Sequence, residues 1–155
     1  MIPRVCSFPR SGTHFLMAAL AANFELGDLA VEATGAPGTV WYSDNKNPAI
    51  IPWGKLFLSH EPYSEKLGDP KSILYIARAP AEVGLSCLRA GLPFSIEQWD
   101  AHLYSYFEAE VYTITYRELL TSYDSALYRI SRYFRLPLLH KPVVTVQQKV
   151  GWVPR

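Results

Sequence analysis

The run Pro9-Arg10-Ser11-Gly12-Thr13-His14 is where this sequence concentrates its chemistry. It lies between a short β-forming stretch, residues 2–8, and an Ala- and Leu-rich stretch, residues 12–24, with helical composition. A loop that leaves a strand and opens a helix suits an anion. The first amides of a helix have no partner within it and point outward. The helix dipole adds about half a positive charge at the same place. Gly12 lets the backbone come close to a ligand, and Ser11 and Thr13 add hydroxyl donors. Arg10 adds a full charge on a planar fork of donors. Together these would hold a phosphate or a sulfate. The plain alternative is an ordinary helix start, with Ser11 or Thr13 as N-cap and Arg10 on the surface. The Walker A pattern is absent, since no Gly lies upstream and no Lys follows Gly12, which speaks against an ATP or GTP hydrolase.

Three further residues carry chemistry at the ends of elements. Residues 72–77, Ser-Ile-Leu-Tyr-Ile-Ala, form a continuous apolar run that fits a strand buried on both faces. Arg78 follows it, at the carboxyl end where ligands of open α/β sheets bind. Ser86 lies eight residues on, about two turns into the next helix, so the pair could converge on one phosphate. His60 ends a strand over residues 56–60, and an imidazole there suits a general base because its ordinary pKa is near working pH. Each has a bland reading as well: an ion pair for Arg78, a helix-surface hydroxyl for Ser86, a strand-end cap for His60.

The elements that must position these residues alternate. Pro80 stands where a helix can begin, and residues 81–89 continue it. Ser95 predicts an N-cap for a helix to about Glu108. Residues 111–116 have the clearest β propensity, and residues 117–134 predict one long helix ended by Pro137 and Pro142. Residues 143–146 predict a last strand. Strands alternating with helices imply an α/β fold, three-layer α/β/α, with a mainly parallel central sheet. Residues 27–55 hold four Gly and three Pro with Trp41, Tyr42 and Trp53, and read as a long functional loop. With Trp99 and Tyr104 these aromatics could line an acceptor pocket, or simply be core.

Composition narrows the classes. A length of 155 residues implies one domain, 1–155, able to bury a core without a staple. A net charge of +1 excludes a protein working by general attraction to nucleic acid or anionic membrane, so any anion must be held by a local site. The most apolar early segment is about ten residues, too short to span a bilayer. No signal-peptide pattern opens the chain, and Cys6 and Cys87 fit free thiols in a reducing cytoplasm. No zinc-type Cys/His spacing occurs, so no metal is implied.

The segment Phe8-Pro9-Arg10-Ser11-Gly12-Thr13-His14-Phe15 resembles the 5′-phosphosulfate loop of the sulfotransferases, commonly Tyr-Pro-Lys-Ser-Gly-Thr-Thr-Trp. Arg replaces the Lys in many members of that wider superfamily. Residues 73–86 resemble its 3′-phosphate segment, with the family spacing from Arg78 to Ser86. Residues 56–62 resemble the strand that ends in Lys-Thr-His-Leu-Pro, and Thr115-Tyr116-Arg117-Glu118-Leu119 resembles its Tyr-Glu-Asp-Leu element. The resemblance implies the P-loop nucleotide-hydrolase-like fold of that family. It implies transfer of a sulfuryl group from 3′-phosphoadenosine 5′-phosphosulfate (PAPS) to a hydroxyl or amine of a small-molecule or glycan acceptor, leaving PAP. It gives His60 the role of general base and Arg10 that of stabilising the leaving phosphate. Ser11, Gly12, Thr13 and His14 would cradle the 5′ phosphosulfate, Arg78 and Ser86 the 3′-phosphate, and Phe15 and Tyr116 the adenine.

Two departures matter. Leu58 stands where the family has Lys, and Glu61 is then a reserve base. At the C-terminus, Gln147-Gln148-Lys149-Val150-Gly151-Trp152 only partly follows the family's Arg-Lys-Gly-x-x-Gly-Asp-Trp, leaving Lys149 or Arg155 to supply charge at the 3′-phosphate. A non-catalytic nucleotide-binding module of the same fold, or a P-loop-related small kinase, are the competing expectations. The short length implies a thin lid and an open acceptor side, or a pocket completed by a second copy in a homodimer.

Overall fold

The computed structural model of the chain describes residues 1–25 and 58–144. Strand β1 (Arg4–Ser7) leads to helix α1 (Thr13–Asn23). Strands β2 (Leu58–Ser59) and β3 (Ile73–Ala77) follow, then helices α2 (Pro80–Arg89) and α3 (Ile96–Glu108), strand β4 (Tyr112–Thr115), and helices α4 (Tyr116–Thr121) and α5 (Tyr123–Phe134). The strands form one sheet in the order β2-β1-β3-β4, and every neighbouring pair is parallel.

Side chains alternate across this sheet with the two-residue period of a strand. Val5, Leu74, Ile76 and Ile114 pack against α1, α4 and α5. Cys6, Ile73 and Tyr75 face the other way, toward Tyr106 of α3. Both faces of β3 are therefore covered, which is why residues 73–76 read as an unbroken apolar run and are all buried. The expected three layers and parallel sheet are present. Pro80 opens α2, and Ser95 caps α3 by accepting from the Gln98 amide at 3.3 Å, both as expected.

Two expected elements differ. The single helix over residues 117–134 is two helices, because Ser122 leaves helical geometry at φ −139, ψ 45. The Thr121 hydroxyl donates back to the Arg117 carbonyl at 2.8 Å, and Thr followed by Ser is a weak helical pair. α4 also starts one residue early, because Thr115 and Glu118 form a capping box. Val143 and Val144 are not in a strand, and residues 145–146 lie outside the described residues. The buried Asn23 amide takes the place of a strand partner: its Oδ1 accepts from the Val143 N–H at 2.7 Å, and its Nδ2 donates to the Val143 carbonyl at 3.1 Å.

Candidate functional site

A fully parallel sheet puts all its carboxyl ends on one edge, and the sequence places its chemistry there. β1 ends at Ser7 and opens into the loop. His60, Arg78 and Tyr116 each directly follow the last residue of β2, β3 and β4. Because β1 lies between β2 and β3, the loop has His60 on one side and Arg78 on the other.

The loop is built on two left-handed residues, Arg10 at φ 69 and Gly12 at φ 86. For Arg10 that backbone costs on the order of 1–2 kcal/mol. At Gly12 a Cβ would also sit 2.7 Å from Cε2 of Tyr116 and closer still to Cδ2, so only glycine fits. Gly12 is the N-cap of α1, and no side chain caps it. Neither Ser11 nor Thr13 is the cap that the plain reading of this loop expects. The Thr13 hydroxyl pairs instead with the Ser7 hydroxyl at 2.5 Å. The Ser11 hydroxyl is buried and has no hydrogen-bond partner among the described residues. An orphaned buried hydroxyl costs on the order of 1–3 kcal/mol, so its presence beside a helix N-terminus favours an anion cradle over a simple cap.

The cationic groups meet on the β3 side. Arg10 Nε donates to the Ser86 hydroxyl at 2.9 Å, and Arg78 Nη1 donates to the Arg10 carbonyl at 3.1 Å. The Arg78 guanidinium lies 4.2 Å from the centroid of the Tyr116 ring. Arg78 Nε is buried and without a hydrogen bond, although Glu82 Oε2 lies 3.5 Å away as a loose ion-pair partner. Arg10, Gly12, Arg78, Ser86 and Tyr116 are thus one cluster assembled from four elements. Phe15 is half-buried and edge-on to Tyr116 and Tyr123, at 6.4 and 5.9 Å between ring centroids.

The imidazoles meet on the β2 side. His60 Nδ1 is 3.0 Å from the Ser7 carbonyl and 3.2 Å from the Ser7 hydroxyl. A carbonyl only accepts, so Nδ1 carries the proton and Nε2 keeps its lone pair. Burial holds the His60 pKa below 6.5, only partly offset by the bond to Ser7. Burial first, and then the electrostatic influence of the neighbouring His60 and Arg10 against a proton there, lowers His14 to about 4. Both rings are therefore neutral near pH 7. Glu61 is exposed. Leu58 is fully buried against the apolar core, a place unsuited to the family's Lys.

Helix α3 contributes what the sequence reading missed. His102 Nε2 bonds to the His60 carbonyl at 2.9 Å, and Tyr106 donates to the Glu61 carbonyl at 2.6 Å. Trp99 is half-buried, and Tyr104 is 57% exposed, which makes Tyr104 a poor pocket wall. Trp41, Tyr42, Trp53, Lys149 and Arg155 lie outside the described residues. Cys6 and Cys87 are buried free thiols. Among the described residues no cluster of His, Cys, Asp or Glu could hold a metal, and no helix is long and apolar enough to cross a membrane.

No protein-family model matches the chain, and no curated protein matches it. Among solved structures it is similar to that of mouse sulfotransferase SULT7A1 complexed with PAP. The TM-score is 0.57 and the identity 19%, over 96% of this chain and 61% of that one. The fold is that of a sulfotransferase. The expectation drawn from four short motifs therefore holds for the architecture, and the chain spans about three-fifths of the length of that sulfotransferase.

Proposed function

We propose that this sulfotransferase-fold chain, as a single domain, transfers a sulfuryl group from PAPS to a hydroxyl, or less often an amine, of a small-molecule or glycan acceptor. The observation that carries the reading is the buried, unpartnered Ser11 hydroxyl at the N-terminus of α1, set between a pair of guanidinium groups and a neutral imidazole. The residues fit a donor with anionic groups at two places. Loop amides, Ser11 and Arg10 suit a phosphosulfate, and Arg78 with Ser86 suits a second phosphate. The bulk missing at Gly12 is taken up by the Tyr116 ring, which lets that ring pack directly on the loop. The PAP in the SULT7A1 structure supports this choice of nucleotide.

His60 Nε2 takes the acceptor proton while the acceptor oxygen forms its bond to sulfur. The bond from sulfur to the phosphate oxygen breaks, and Arg10 and the loop amides stabilise the charge left on that oxygen. Phe15 and Tyr116 are the residues for the adenine, although Tyr116 already carries Arg78 on one face. Glu61, being exposed, is the second candidate for that role. The test is calorimetric titration of the full chain with PAP, beside ATP with magnesium, followed by transfer from PAPS to 2-naphthol. Preference for PAP together with transfer is expected; preference for ATP would overturn the reading. Leu58, buried where the family has a cation, favours one alternative, a module that binds PAP and transfers nothing.

A further inference from the structure

Among the described residues β2 runs Leu58–Ser59, stands at one end of the strand order and pairs with β1 through Val5↔Leu58 and Cys6↔Ser59. His60 lies beyond the last pair, so the sheet does not hold its backbone. A group that must meet a reacting atom within a fraction of an ångström needs another anchor. We infer that helix α3 is that anchor, with His102 and Tyr106 as positioning residues for His60; this rests on His60 being the base.

His102, Ser105 and Tyr106 fall at i, i+3 and i+4, on one helical face. That face grips three successive points of the chain after β2. His102 bonds the His60 carbonyl at 2.9 Å, Tyr106 bonds the Glu61 carbonyl at 2.6 Å, and the Ser105 hydroxyl accepts from the Tyr63 N–H at 2.9 Å. The tautomer of His102 follows. A carbonyl accepts, so Nε2 carries the proton, and Nδ1 accepts from the Tyr75 hydroxyl at 2.9 Å. Tyr75 is buried on β3 and stacked on Tyr106 with ring centroids 4.3 Å apart. Phe8, the first loop residue, meets His102 edge-on at 5.4 Å.

His102 therefore joins the central sheet, the anion loop and the peptide of the base. Packing alone would be served by an apolar side chain, and an imidazole that is 3% exposed costs desolvation unless both nitrogens are used. Both are used, one of them on the His60 peptide. His60 is then held from two ends, its ring by Ser7 and its carbonyl by His102, which fixes where Nε2 points.

The test uses the full chain labelled with 15N-histidine. Tyr106→Phe removes one hydroxyl at constant shape, His102→Leu removes the imidazole donor, and His102→Gln keeps an N–H near the position of Nε2. Three quantities are measured: PAP affinity by calorimetry, kcat and KM for PAPS with 2-naphthol as acceptor, and the Nδ1–H signal of His60 by NMR. Tyr106→Phe and His102→Leu should lower kcat roughly tenfold or more and broaden the His60 signal, with PAP affinity and KM within about twofold. His102→Gln should recover most of kcat. Unchanged kcat and an unchanged His60 signal in Tyr106→Phe would overturn the inference, and so would parallel loss of kcat and PAP affinity. If His102→Leu fails to fold, Tyr106→Phe carries the test alone. A wild type that binds PAP but transfers nothing, with the His60 signal still lost in Tyr106→Phe, removes the transfer reading and keeps the positioning.

Discussion

The two faces of the sheet bury different kinds of matter. Toward α1, α4 and α5 the core is mostly hydrocarbon, with Leu16, Leu20, Leu74, Ile114 and Ile130 among its members and the buried amide of Asn23 as a hydrogen-bonded exception. Toward α3 it contains Cys6, Tyr75, His102 and Tyr106, whose polar atoms require partners. An apolar core tolerates repacking, because hydrophobic contact has no direction. A hydrogen-bonded core does not, because an unpaired buried group in low dielectric is costly. The first face sets whether the chain folds, and the second sets where the groups at the strand ends point.

The largest effects should separate the two roles. Leu20 is fully buried, and Leu20→Ala should cost about 2–5 kcal/mol by urea unfolding, with kcat per folded molecule unchanged. His60→Ala should do the reverse: transfer falls roughly 10²–10⁴-fold while the unfolding midpoint hardly moves. Equal losses of stability and turnover in both variants would break the division between the faces.

The apolar face was legible in the sequence because its signals are local. A strand buried on both faces is a run of apolar residues, and residues 73–76 are that. The loop was legible because Arg10, Gly12 and two hydroxyls stand together between a strand and a helix, although the hydroxyls alone would equally suit an ordinary N-cap. The roles of His102 and Tyr106 were not legible. Their partners are backbone carbonyls 42 and 45 residues away, and no residue type marks a carbonyl that needs a donor. An aromatic-rich helix reads the same whether its polar tips meet peptide groups or water. The break at Ser122 was hidden in the same way, because the apolar spacing from Leu119 to Phe134 continues across it.

Another effect, spread over pH, comes from two imidazoles that burial keeps neutral. Burial lowers His14 and His102 to about 4, against 6.5 in the unfolded chain, and for His102 it outweighs the bond to the His60 carbonyl, which acts the other way. Above about 6.5 both are neutral in either state and stability is full. As pH falls from there toward 4, the unfolded chain takes up protons that the folded chain refuses, so stability is lost. Each group contributes a slope approaching about 1.4 kcal/mol per pH unit inside that window. Urea unfolding at stepped pH should show this slope, and His102→Gln should reduce it by one group's share. An unchanged slope in that variant would mean that His102 titrates normally and is not sealed in the second core.

The smallest effect concerns the end of β4, where a hydrogen bond and a surface charge act on the same residue. Glu118 Oε2 accepts from the Thr115 N–H at 2.8 Å as half of the capping box, while its Oε1 pairs with Arg129 at 3.4 Å. Thr115 precedes Tyr116, so the cap sets the direction in which the chain leaves the sheet beside Gly12 and Arg78. Thr115→Ala should cost about 1 kcal/mol, as loss of an N-cap does. Arg129→Ala should cost no more than about 0.5 kcal/mol, because the pair is well exposed. Salt separates them: near 1 M the Debye length falls to about 3 Å, so the Arg129 effect should vanish and the Thr115 effect persist. If the Thr115 effect also vanished in salt, charge rather than hydrogen-bond geometry would be holding this end of the sheet.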